Sequence, residues 1–168
     1  DEVERVGPPS KGPRHALRVI RDLVAFAPEG RRTNLGASLL YASRLLRHRA
    51  IVAVLSDFLA EGWEKPLRRL AARHEVVAIV IEDPRENELP ESGWVELLDA
   101  ESGQHVLVDT GNRDVRDRLR ALAERRRSER ARMLGAAGVD QILLRTDRSY
   151  ALPLRQAFAR RARRLRRG

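Results

Sequence analysis

The chain has 168 residues, with 42% hydrophobic and 34% charged side chains, which is the makeup of one soluble globular domain with a single core. It has no cysteine, so disulfides, thiolate metal sites and thiol nucleophiles are excluded. The formal net charge is +9, and no apolar run approaches the roughly 20 residues needed to cross a bilayer. These features point to a cytoplasmic protein, and because the sequence opens on Asp1 it is expected to be processed or part of something longer.

The first predicted element is an amphipathic helix in "PRHALRVIRDLVAFAPEG", with Ala16, Leu17, Ile20, Leu23, Val24 and Ala27 in one stripe, entered by Pro13 and closed before Pro28. A second helix follows in "RRTNLGASLLYASRLLRHR", with Thr33 or Asn34 as its N-cap and Leu35, Leu39, Ala42 and Leu46 on one face. "AIVAVLSDF" is continuously apolar from Ala50 to Leu55, which predicts a strand covered on both faces and ending on Ser56 and Asp57. A helix over 63–74 and a second apolar strand, "EVVAIVIEDP", complete a βαβ unit.

"WVELLDA" and "QHVLVDT", joined by Glu101, Ser102 and Gly103, predict a hairpin inserted after the second strand. A long helix from about Asn112 to Gly135 has no apolar face through "ERRRSER", so that part is expected to project into solvent or onto a partner. A third strand, "VDQILLRTD", and a last helix close the chain; "ARRARRLRR" at 159–167 carries six arginines and no acid. The fold class is therefore α/β, a mostly parallel sheet with flanking helices, in one domain over 1–168 with an Arg-rich tail at 159–168.

Ligands of open parallel sheets bind beyond the carboxyl ends of the strands. Three strands end there on acids: Asp57, then Glu82 and Asp83, then Asp147. Ser56, Asp57 and Thr33 supply the hydroxyl and carboxylate oxygens that hard cations such as Mg²⁺ favour. Each also has a simpler use, as a helix cap for Asp57 and Thr33 and as the Asp-Pro turn residue for Asp83. His74, at a helix C-terminus, fits a role in satisfying the helix dipole, and the other histidines lack metal-ligand spacing. Trp63 and Trp94 are expected in core or turn packing.

The stretch "RRTNLGASLLYASRLLRHRAIVAVLSDFLAEGW", together with "PPSKGPRHALRVIRDL", "LAARHEVVAIVIEDPRENELPESGWVELLDAESGQ" and "LLRTDRSYALPLRQAFARRARR", resembles domain-of-unknown-function family number fifty-eight. That family is a bacterial branch of von Willebrand factor A-like domains. The resemblance implies a doubly wound Rossmann-like sheet with a metal-ion-dependent adhesion site at its C-terminal edge. It also implies a non-enzymatic protein-interaction role beside a MoxR-type AAA+ ATPase in assembling or remodelling proteins. Carried over by motif, Thr33 would be the second-loop hydroxyl ligand and Asp57 the third-loop carboxylate.

The first metal-site loop, Asp-x-Ser-x-Ser after a central strand, does not occur in the sequence. The expectation is therefore a domain lacking its N-terminal strands, with a partial site that holds Mg²⁺ weakly. An unpaired sheet edge and an uncovered apolar face would follow, closed by preceding strands or by homo-oligomerisation. Two readings of other classes remain beside it. One is a Mg²⁺-dependent hydrolase or nuclease, which requires Asp57, Asp83 and Asp147 to converge. The other is nucleic-acid binding through the Arg-rich tail and long helix, with steep salt dependence.

Overall fold

The computed structural model describes residues 3–27, 33–87, 89–98 and 103–165, and the elements below are taken from these. In chain order they are helix α1 (Pro13–Ala25), helix α2 (Leu35–Leu45), strand β1 (Ile51–Ser56), helix α3 (Glu64–Ala71) and strand β2 (Glu75–Glu82). A single turn, α4 (Pro84–Asn87), leads to strands β3 (Trp94–Leu98) and β4 (His105–Asp109). The long helix α5 (Arg113–Ala136), strand β5 (Asp140–Arg145) and helix α6 (Ala151–Leu165) follow.

The sheet has the order β1-β2-β5, and both pairings are parallel: Ile51 lies opposite Glu75, and Val77 opposite Asp140. This is the expected mixed α/β architecture with a mostly parallel, Rossmann-like sheet. Its two faces are covered differently. On one, Val54, Val76, Ala78 and Val80 pack with Leu35 and Leu39 of α2, Leu67 and Leu70 of α3, and Leu134 of α5. On the other, Val77, Ile79 and Ile142 pack under Leu154 and Ala157 of α6.

The covering by α6 stops at β2 and β5, which changes the reading of β1. Ile51, Ala53 and Leu55 are exposed, the first and last at 66% and 60%, so the strand is buried on one face only. Continuous apolarity here marks a strand with a second face to cover, not one already covered. Among the described residues β1 is also an edge of the sheet, with an unpaired row of backbone groups.

β3 and β4 form the predicted antiparallel hairpin as a separate two-stranded sheet, Trp94 opposite Asp109; Glu101 and Ser102 of its turn lie outside the described residues. The fully buried Thr110 hydroxyl donates to the Gly93 carbonyl at 2.8 Å and accepts from the Ser92 N–H at 3.1 Å, which anchors the hairpin base. Trp94 is 68% exposed rather than packed, on the hairpin face that it shares with the exposed Glu96 and Leu98. Trp63 is in the core, as expected. Of the tail, residues 166–168 lie outside the described part, and no described helix is long and apolar enough to cross a membrane.

Candidate functional site

The loop after β1 is built around Ser56 and Asp57. The Ser56 hydroxyl accepts the Phe58 N–H at 3.0 Å and Asp57 Oδ1 accepts the Leu59 N–H at 3.0 Å, so both side chains fold back as local turn acceptors. Between them the backbone is forced left-handed: Phe58 has φ +59°, a conformation that costs a bulky residue roughly 1–3 kcal/mol. The cost is offset by packing. The Phe58 ring is buried and meets Trp63 edge-on, centroids 5.1 Å apart.

The N-terminus of α2 sits against the same loop. A Cβ on Gly36 would come within 2.9 Å of the Gly62 carbonyl oxygen, so only glycine permits this approach. The α2 N-cap is Asn34, whose Oδ1 accepts the Ala37 N–H at 2.9 Å. Thr33 is therefore not the cap, and it is exposed beside that turn. The α2 N-terminal turn and the loop after β1 thus pack together through Gly36 and Gly62.

Glu82, the acid ending β2, is not open to a ligand. Arg127 Nη2 lies 3.1 Å from its Oε2, and Arg130 Nη2 pairs with its Oε1; the Glu82 and Arg130 side chains are 9% and 7% exposed. Burial alone would raise the Glu82 pKa, but hydrogen bonds from Arg127 and Arg130 outweigh it and hold the carboxyl below its ordinary value. The same Glu82 hydrogen bond raises Arg127. Arg130 also donates from Nη1 to the Asp57 carbonyl at 3.3 Å, tying α5 to both strand ends.

The expectation that "ERRRSER" projects into solvent or onto a partner is corrected for two of its residues, which pack within the fold. Every third or fourth residue of a helix returns to one face, so Arg127 and Arg130 turn inward onto a buried acid while Arg125 and Arg126 stay exposed. A strand-end glutamate in an apolar strand and an arginine pair at (i, i+3) were the available signals. Their pairing, 45 and 48 residues apart, is tertiary.

The remaining predicted site residues disperse. Asp83 Oδ1 accepts the Arg85 N–H at 2.9 Å, the turn role that its Asp-Pro sequence allowed. Asp147 is held by Arg145 through two contacts of 3.0 Å, which lower its pKa. Among the described residues no three His, Cys, Asp or Glu side chains form a group that could hold a metal ion. The convergence of Asp57, Asp83 and Asp147 required by the hydrolase reading is therefore not found among them. His74, just after α3, is buried, and among the described residues neither of its ring nitrogens has a hydrogen-bond partner.

Outside the Asp57 loop lies an open cleft of about 930 Å³, lined by Asp57, Trp63, Leu98, Arg126, Arg130 and Met133 among others. It occupies the C-terminal edge of the sheet, between the β1–α3 loop, the hairpin and α5.

The profile of the family described as "Protein of unknown function DUF58" matches residues 1–129. The chain belongs to the DUF58 family. Among its relatives are the uncharacterized proteins Mb1516 of Mycobacterium bovis and Rv1480 of Mycobacterium tuberculosis, each 38% identical over 161 residues, covering 93% of this chain and 50% of the relative. The uncharacterized protein MAV169 of Mycobacterium avium is 36% identical over 148 residues, covering 84% of this chain and 86% of that relative. The DUF58 chain thus spans about half the length of the first two relatives. No solved structure matches it.

Proposed function

We propose that this DUF58 chain is a non-enzymatic protein-interaction domain, the C-terminal portion of a von Willebrand A-like module, that acts with a MoxR-type AAA+ ATPase. The observation that carries the reading is the placement of the exposed, hydroxyl-bearing α2 turn and the Ser56–Asp57 turn in one packed unit at the tip of an unpaired edge strand. A parallel strand added beside β1 would extend the sheet, cover Ile51 and Leu55, and bring its own C-terminal loop to Asp57. The doubled length of two relatives leaves room for such a strand in a longer parent.

The donors fit Mg²⁺ in kind but not in number. Thr33, Ser56 and Asp57 offer hard oxygen atoms, yet Mg²⁺ needs near-octahedral oxygen ligation, and one Asp57 oxygen and the Ser56 hydroxyl already accept backbone N–H groups. In this reading Asp57 faces the partner, and metal retention depends on ligands from an added strand or from a partner carboxylate. Arg130 positions the loop by holding the Asp57 carbonyl.

The test is capture of a purified MoxR-type ATPase by the chain, with Asp57→Ala compared against the parent in the presence and absence of Mg²⁺. Capture weakened by Asp57→Ala, in a variant whose circular dichroism still matches the folded parent, is the expected result. No capture by either protein overturns the partner, and undiminished capture by Asp57→Ala removes Asp57 from the interface.

A further inference from the structure

Helix α1 is turned inside out relative to an ordinary surface helix. Placing successive residues 100° apart puts Val19, Leu23, Ala16, Ile20, Val24 and Leu17 in one continuous arc, and Arg21, Arg14, Arg18, Asp22 and His15 in the other. Only His15 and Asp22, both on the polar arc, are half-buried, and α1 has no buried residue. On that side Asp22 pairs with Arg5 at 2.9 Å and Arg21 at 3.1 Å, and the preceding segment and Ser38 of α2 enclose a cavity of about 590 Å³ with it. The apolar arc is largely exposed: Leu17, Ile20, Leu23 and Val24 are 57–83% exposed, while Val19 and Leu23 at its far border also line that cavity.

An apolar arc held outward on a helix that contributes nothing to the core calls for an occupant. The charge distribution selects one. Arg14 and Arg21 border the apolar arc beside Leu17 and Val24, with Arg18 behind them and Lys11 just before the helix, against the single acid Asp22. Long basic side chains flanking a band of leucine, isoleucine and valine suit a surface that is apolar in depth and anionic at its rim. A nucleic acid would use the arginines and leave the apolar arc wet.

We propose that α1 is an interfacial helix that docks this chain on a membrane surface bearing anionic lipid headgroups. Leu17, Ile20 and Val24 enter the acyl boundary, and Arg14 and Arg21 reach back to the phosphates. The helix lies in the plane of the interface and does not span it. This docking does not depend on Asp57 or on any ATPase.

The experiment is co-sedimentation of the full chain with vesicles of equimolar phosphatidylcholine and phosphatidylglycerol, and with vesicles of phosphatidylcholine alone. The parent chain is expected to pellet with the anionic vesicles, less so as salt rises, and to stay largely in solution with the neutral ones. Leu17→Ser/Val24→Ser and Arg14→Gln/Arg21→Gln should each lower partitioning about tenfold, since both apolar insertion and charge contribute. These positions bury nothing, so thermal melts of both variants should match the parent.

Full pelleting by Leu17→Ser/Val24→Ser would overturn the proposal and assign the attraction to arginines elsewhere. So would the absence of pelleting with anionic vesicles. A solution dimer that the same pair of serines dissociates, with no vesicle binding, would give the apolar arc to a second copy and also overturn it.

Discussion

Replacing Glu82 by leucine tests the arginine clamp that joins the two strand ends. Glu82 and Arg130 are both nearly inaccessible, and among the described residues Arg130 keeps only the Asp57 carbonyl as a partner once the carboxylate is gone. Its Nε is already without a partner, so the substitution strands a buried cation. Breaking one side of such a pair costs about 3–5 kcal/mol. In a domain of this size each kcal/mol moves the melting temperature by about 2–4 °C, so Glu82→Leu should lower it by roughly 6–20 °C.

The compensating Glu82→Leu/Arg130→Met chain removes both charges and fills the volume with apolar atoms. It should recover most of the loss, because the pair as a whole contributes little beyond offsetting its own desolvation. Arg127→Ala should cost less, about 1 kcal/mol, since that side chain is 36% exposed and screened. Thermal and urea melts of the three variants measure all of this. A Glu82→Leu loss under about 1 kcal/mol, or a double variant no better than the single, would refute the reasoning that this pair is a desolvated unit.

The lowered pKa of Glu82 fixes the sign of an acid limb: its contribution is complete above the ordinary value of 4.5 and declines as pH falls through the lower folded value. Melts taken stepwise into acid should therefore show a steeper decline for the parent than for Glu82→Leu/Arg130→Met, and identical slopes would assign the acid limb to other carboxylates. Gly36→Ala should destabilise by about 1–3 kcal/mol, because the new methyl meets the Gly62 carbonyl, and urea melts that overlay the parent would show that the loop yields freely. His74→Leu should raise stability by about 1 kcal/mol, because two buried ring nitrogens without partners are replaced by apolar atoms. A fall in melting temperature for that variant would reveal a partner for the ring.

The sequence by itself determined the elements and the class of fold. Apolar runs bounded by turn residues marked β1, β2 and β5, helical stripes marked α1 and α2, and a glycine turn marked the hairpin, because these signals are local and repeat at the period of each element. It also placed Asp57 at a strand tip. Tertiary structure decided what each surface faces. Continuous apolarity could not say that β1 lies at an edge with Ile51 and Leu55 uncovered, since that depends on where α6 stops. An arginine run could not say that Arg127 and Arg130 reach Glu82, since the acid lies more than forty residues earlier in the chain. The amphipathic pattern of α1 was fully legible, yet only packing shows its apolar side turned outward: periodicity fixes which residues share a face, and the surrounding elements fix which way that face points.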